Sequence, residues 1–269
     1  MQPMVNIALR AARLAAEQIA RGTERLDLIK SEQDKVAAFI NDLCQQAERT
    51  IVHTLQKAYP HHTVSGDYSG RHKAIGEGPM PCEWQVTPID SIPNFSNAVP
   101  SFALSMTGRI KGKVTHSLIL NPITGDEFTA SRGEGAQLNG KRLRVSPLKA
   151  LNGALIGTGF MGRKSDQSGL ESQIAIMREL VNAGATPFNT GSAALNLAYT
   201  AAGRLDGFCQ LGLTDSEQDA GLLLLQEAGA LVGDTAGGNN HRESGKLVAG
   251  NPKMFKALIK TLHPAISSN

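Results

Sequence analysis

The hydrophobic repeat of this chain changes once, from helical to strand-like, and that change restricts it to folds that lay long helices against a sheet. Met4, Ile7, Ala8, Ala11, Leu14, Ala15 and Ile19 recur at steps of three and four, which predicts an amphipathic helix ending near Gly22. Val36, Phe39, Ile40, Leu43, Ala47, Ile51 and Leu55 repeat in the same way, predicting a second helix from about Asp34 to Tyr59, stopped by Pro60. Two long antiparallel helices are therefore expected first. From Thr63 onward the repeat shortens toward two, the period of a strand with one buried face.

Turn residues then divide the chain. Lys111-Gly112-Lys113 separates the runs Ala103 to Ile110 and Val114 to Leu120, and Asn139-Gly140 is the strongest hairpin dipeptide present. With turns at residues 121–126 and at Gly133-Glu134-Gly135, the segment from about 84 to 146 reads as an antiparallel sheet. After Leu151 strands and helices alternate: a strand at Ala154 to Thr158, a helix from about Glu171 to Ala183 and a helix opening at Ser192. A strand near Leu205 to Gln210, a helix from about Asp219 to Ala228 and a strand at Leu231 to Gly233 follow. This is α/β usage, and the change of pattern near Pro147 and Gly153 predicts two parts, residues 1–148 and 149–269.

Composition narrows the class further. A chain of 269 residues, 41% hydrophobic and without an apolar run of membrane-spanning length, is expected to be a soluble globular protein with a sizeable core. The first 20 residues carry Arg10 and Arg13 inside the helical pattern and read as structure, not as a secretion signal. Cys44, Cys82 and Cys209 are odd in number and far apart, which fits a reducing compartment; a cytoplasmic location is expected. A net charge of +3 from scattered Lys and Arg makes no nucleic-acid stripe.

The chemistry lies in residues 84 to 95: Trp84-Gln85-Val86-Thr87-Pro88-Ile89-Asp90-Ser91-Ile92-Pro93-Asn94-Phe95. This run resembles the W-x-x-D-P-[IL]-D-G-T-x-N-F signature of the inositol monophosphatase family. The framework segments Asn121 to Thr124, Phe128 to Ala136, Leu138 to Leu143, Ala201 to Gly207 and Glu227 to Gly229 match the family pattern as well, so the resemblance covers almost the whole chain and is nearest to the SuhB branch. It implies a mixed α/β fold, a layered αβαβα sandwich with an antiparallel N-terminal sheet and an α/β C-terminal part. It also implies Mg²⁺-dependent hydrolysis of a small phosphate monoester such as an inositol phosphate, and a homodimer. For the SuhB branch it implies contact with RNA polymerase and Nus factors in transcription antitermination.

Carried over position by position, the resemblance places metal ligands at Asp67, the carbonyl of Ile89, Asp90 and Glu217, and substrate contacts at Asp90, Ser91, Ile92, Gly191, Ser192, Ala193 and Gln210. The water-activating pair falls on Cys44 and Ile92, which leaves no catalytic residue intact. Thr87 stands for a bridging aspartate, Tyr68 for a second acid and Asn189 for an arginine common in that branch. Magnesium needs hard oxygen ligands, and a neutral hydroxyl weakens it where a carboxylate bridged two ions. Weak or absent Mg²⁺ binding and impaired hydrolysis are expected, with a binding or regulatory role in its place; an active enzyme using the remaining acids is the alternative.

Without the resemblance, these residues have plainer readings. Asp90 is an ordinary turn former, while Glu217 or Asp219 suits the first turn of a helix, and which of Asp215, Glu217 and Asp219 faces a site stays open. Cys44 reads as a small buried hydrophobe, His61-His62 as a solvated helix exit, and Trp84 and Phe95 as core residues.

Overall fold

The computed structural model describes residues 3–29, 32–159 and 167–267, arranged in two units, Met1–Gly140 and Lys141–Asn269. Its fold is mixed α/β with two mixed sheets. No described helix is long and apolar enough to cross a membrane.

The first unit opens with helices α1 (Pro3–Ile29) and α2 (Gln33–Ala58). Their apolar stripes, including Ala8, Ala15, Ile19, Leu43, Ala47 and Ile51, are buried in one core. Helix α1 does not end at Gly22. A Cβ there would come within 2.5 Å of the Leu43 side chain, so this glycine sits inside the helix and lets the two helices approach closely instead of terminating the first. The second helix matches its expected span to within a residue at either end.

Seven strands follow: β1 (Thr63–Gly66), β2 (Gly70–His72), β3 (Glu83–Thr87), β4 (Leu104–Ile110), β5 (Lys113–Leu120), β6 (Glu127–Ser131) and β7 (Gly135–Leu138), with the short helix α3 (Ile92–Ser96) after β3. Their order is β2-β1-β3-β4-β5-β6-β7. From β3 to β7 every pair is antiparallel, as the hairpin signals imply. Only β1 against β3 is parallel, which makes the sheet mixed. Lys111 (φ 52°) with Gly112 (φ 74°), and Asn139 (φ 50°) with Gly140 (φ 78°), adopt the left-handed pairs that tight hairpins require. Trp84 and Phe95 lie in the core.

His62 corrects an expectation. Far from being solvated, it is fully buried, stacked on Tyr59 with ring centroids 4.6 Å apart, and its Nδ1 accepts the Trp84 indole N–H at 3.1 Å. Adjacent histidines after a proline suggest an exposed exit only until a buried indole needs an acceptor.

The second unit holds the short strand β8 (Lys141–Arg142), then β9 (Leu155–Gly157), α4 (Gln167–Asn182), β10 (Thr186–Phe188), α5 (Ala193–Ala201), β11 (Gly207–Gln210), α6 (Asp215–Glu227), β12 (Leu231–Gly233), α7 (His241–Ser244), β13 (Leu247–Gly250) and α8 (Pro252–Ser267). The sheet runs β10-β9-β11-β13-β12, parallel from β10 to β11 and antiparallel from β11 to β12. Ile176 and Leu180 of α4 and Met254, Leu258 and Leu262 of α8 share its core. Each such buried side chain contributes about 1.5–3 kcal/mol. Helix α6 is buried from Gln218 to Leu225, and it crosses close to α5 at Gly221, where a Cβ would lie 2.5 Å from that of Leu197. It begins at Asp215, four residues before the expected start, and that shift decides what Glu217 does.

Candidate functional site

In the first unit the candidate residues sit on the β1–β2 turn and on the segment running from β3 into α3. The turn is held from beneath by a residue that the sequence reading did not single out. Glu48 of α2 is only 1% exposed, and its carboxylate accepts the backbone N–H groups of Tyr68 (3.0 Å) and Ser69 (2.5 Å). Gly66 leaves room for it, because a Cβ there would lie 2.1 Å from the Glu48 oxygen and would displace the carboxylate. Hydrogen bonds from amides to a carboxylate are among the stronger ones, so this turn is fixed. The signal that could have revealed Glu48 is a charged residue amid the apolar stripe of α2.

Asp67, exposed at the top of that turn, accepts Gln85 Nε2 at 2.8 Å and Thr87 Oγ1 at 2.7 Å. Thr87 thus donates to Asp67 from the position that the resemblance assigns to a bridging aspartate. Two facing carboxylates repel unless a cation lies between them. A carboxylate and a hydroxyl satisfy each other directly. Asp90 is half-buried, its Oδ1 accepting the Ala103 N–H at 2.8 Å while its own N–H donates to the Ala103 carbonyl at 3.0 Å. The Ile89 side chain is buried in the core, Ser91 is buried without capping α3 through its side chain, and Ile92 packs on the same core.

Cys44 is fully buried, and burial pushes its thiol up to about 12, against a smaller lowering by its hydrogen bond with the Tyr68 side chain. At neutral pH it is a thiol and cannot take a proton from water. The two positions read as an acid and a base therefore form a neutral pair at the edge of the core.

In the second unit Ser192 is the N-cap of α5, its side chain accepting the Leu195 N–H at 3.0 Å. Just before it, Gly191 takes a left-handed conformation (φ 81°) and donates its N–H to Asn189 Oδ1 at 2.8 Å. Ala193 opens the helix, and Asn196 donates to the Thr158 carbonyl at 2.8 Å. Gln210, at the end of β11, is 6% exposed and its Oε1 has no partner among the described residues. Gly159 makes room for it, since a Cβ there would lie 2.5 Å from that oxygen.

Of the three late acids, Glu217 closes a capping box: its carboxylate accepts the Thr214 N–H (2.8 Å) and hydroxyl (2.7 Å), while its own N–H donates to Thr214 Oγ1. Asp219 is buried and paired with Arg242, and Asp215 is exposed in the first turn. The signature Thr214-x-x-Glu217 is legible in sequence once the helix is started at Asp215. Among the described residues, no group of three or more His, Cys, Asp or Glu side chains is gathered closely enough to hold a metal ion.

The inositol monophosphatase family model matches residues 1–267. The chain is 47% identical over 264 residues to a protein of Pseudomonas aeruginosa named Nus factor SuhB, covering 98% of this chain and 97% of that one. It is 40% identical over 267 residues to Nus factor SuhB of Escherichia coli, covering 99% and 98%. Among solved structures, the extragenic suppressor protein SuhB of Bartonella henselae superposes with a TM-score of 0.83 at 30% identity, over 97% of this chain and 98% of that one. With this match along its length and in its fold, the chain belongs to the inositol monophosphatase family.

Proposed function

We propose that this chain is a SuhB-type protein that has lost most or all Mg²⁺-dependent hydrolysis of phosphate monoesters and acts by binding the transcription machinery, in the manner of an antitermination factor. The carrying observation is the Thr87–Asp67 hydrogen bond at 2.7 Å: a hydroxyl fills the place of the second carboxylate, and the pair is stable without a cation. Cys44 as a thiol and Ile92 as a hydrocarbon leave the nucleophilic water without a base, and general-base work alone is worth roughly 10²- to 10⁴-fold. The acids present do not fit a two-ion magnesium site. The Asp67 carboxylate accepts from Gln85 and Thr87, that of Asp90 accepts the Ala103 N–H, and the Glu217 carboxylate closes a helix cap.

The names of the relatives, Nus factor SuhB, support a transcription role for a chain that aligns with them from end to end. In this reading the protein works in the cytoplasm and pairs with a second copy. Leu170, Ile174 and Val181 form an exposed stripe on α4, and Phe188 is exposed on the edge strand β10, which supports the pairing.

A second reading keeps the enzyme, with Asp67, the Ile89 carbonyl, Asp90 and Glu217 as metal ligands. Gly191, Ser192, Ala193 and Gln210 would then receive an inositol phosphate. The unpartnered Gln210 oxygen, suited to a sugar hydroxyl, is the observation that favours it. Hydrolysis of inositol 1-phosphate with and without Mg²⁺ separates the two. The proposal expects a Mg²⁺-independent background in the natural chain and a gain of roughly 10²-fold or more after Cys44→Asp, Thr87→Asp and Ile92→Thr are combined. Brisk Mg²⁺-dependent turnover with no gain on restoration overturns it. Failure to bind purified RNA polymerase with the Nus factors overturns the transcription role alone.

A further inference from the structure

The loop between β2 and β3 is exposed at every residue from Lys73 to Pro81, yet it is anchored. Gln56 of α2 donates through Nε2 to the Lys73 carbonyl at 2.9 Å, and the Ile75 and Gly76 N–H groups donate to the Pro60 carbonyl at 2.8 and 3.2 Å. Gly78 lies so close to the His61 ring that a Cβ would come within 2.3 Å of Nδ1. On this fixed stem stand Ile75, 74% exposed, and Met80, 63% exposed. Met80 has φ 54°, a left-handed conformation that costs a methionine about 1–2 kcal/mol, and prolines on both sides stiffen it. Single exposed apolar residues are common and need no explanation. Two of them on an anchored, proline-stiffened loop are displayed in a conformation that folding does not reward, and pre-ordered display is what lowers the entropic cost of binding.

Charge identifies the occupant. The loop leaves β2 at His72 and enters β3 at Glu83, which the register sets opposite Arg109, at the sheet end where β4 finishes and β5 begins. Arg71, Lys73, Arg109, Lys111 and Lys113 gather there against Glu77 and Glu83, an excess of three positive charges; Arg71 pairs with Glu83 at 3.4 Å, and Lys111 and Lys113 sit exposed at the hairpin tip. The loop carries no aromatic ring on which a base could stack, whereas its apolar side chains suit a hydrocarbon contact. We infer that this loop and the β4–β5 hairpin tip form a docking surface for an acidic protein segment with apolar side chains, which Ile75 and Met80 receive while Lys111 and Lys113 face its carboxylates. The surface is separate from the phosphatase-like loops, and it stands whether or not the transcription role holds.

The test uses the full-length chain and three fluorescent probes: a short peptide of glutamate, leucine and alanine, one of equal charge in which serine replaces leucine, and a single-stranded RNA of equal charge. Anisotropy is expected to show the leucine peptide bound most tightly and weakened by salt. The pair Ile75→Ser and Met80→Ser, and separately Lys111→Glu with Lys113→Glu, are each expected to weaken it about tenfold, equivalent to about 1.4 kcal/mol. All four side chains are exposed or at a turn, so an unchanged thermal transition verifies that the variants are folded. No binding of the leucine peptide, equal binding of the serine peptide, tighter binding of RNA, or unchanged affinity in either variant overturns the inference.

Discussion

The two units have treated their candidate residues in opposite ways. In the first, positions that the resemblance assigns to acids and a base are satisfied by one another or by the core: Thr87 donates to the Asp67 carboxylate, Tyr68 hydrogen-bonds Cys44, and Ile92 packs on the core. In the second, the α5 cap keeps its small residues and Gln210 keeps an acceptor that no described residue uses. Catalysis by a metal phosphatase needs an excess of negative charge held together against its own repulsion, and Thr87 and Tyr68 bring none to the first unit's loops. Recognition of a hydroxylated ligand needs only shape and a few open polar atoms, and the Gln210 oxygen is an acceptor of that kind. Clustered carboxylates carry a standing cost of charge repulsion when no cation lies between them, whereas a small-residue helix cap costs little to keep.

The sharpest way to break this contrast is at Glu48, a carboxylate buried under the first unit's loops. Glu48→Ala strands the Tyr68 and Ser69 amides and opens a cavity beneath the turn, so a loss of about 3 kcal/mol is expected in urea unfolding, and Glu48→Gln is expected to lose about half of that. A silent Glu48→Ala variant would mean that the turn is held by something else and that Asp67 is not fixed where Thr87 can reach it.

A buried histidine of the first unit also carries a pH signature. Burial, with smaller contributions from the neighbouring His61 and His116, lowers the His62 pKa to about 4. Its neutral ring accepts from Trp84, so a proton on Nδ1 breaks that bond. Above pH 6.5 the ring is neutral in both folded and unfolded chains and contributes no pH dependence. As pH falls from 6.5 toward 4 the unfolded chain gains a proton that the folded chain refuses, and stability drops by about 1.4 kcal/mol per pH unit. Unfolding free energies from urea titrations at pH 7 and pH 5 are expected to differ by about 2 kcal/mol more in the natural chain than in His62→Phe. An equal acid sensitivity in that variant places the titrating group elsewhere.

Local chemistry made most of the fold legible. Lys111-Gly112 and Asn139-Gly140 admit few conformations besides tight hairpins, and the stripe from Val36 to Leu55 has one buried face whatever it packs against. What escaped reading depends on partners distant in sequence. Gly22 reads as a helix stop until Leu43 is seen against it, and His62 reads as solvated until Trp84 needs an acceptor. The parallel β1–β3 pair joins strands separated by a long loop, and strand β13 and helix α8 had no resemblance motif to mark them. The site divides along the same line. The replacements at Cys44, Thr87 and Ile92 are visible residue by residue, but Glu48 and the Asp219–Arg242 pair act across 20 or more positions.

The smallest expected effect lies at Glu217, and it bears most directly on whether the second unit holds metal. If its carboxylate serves only the capping box, Glu217→Gln keeps an acceptor for Thr214 and loses mainly the favourable interaction of a negative charge with the start of α6, a destabilisation of about 0.5 kcal/mol. Thermal unfolding of Glu217→Gln and the natural chain should then differ by the same small amount with and without millimolar Mg²⁺. A metal ligand behaves otherwise, because binding to the folded state adds stability that grows with the logarithm of ion concentration and disappears with the carboxylate. A magnesium-dependent rise in the natural chain that Glu217→Gln abolishes would return this residue to the metal site, and with it the enzyme reading.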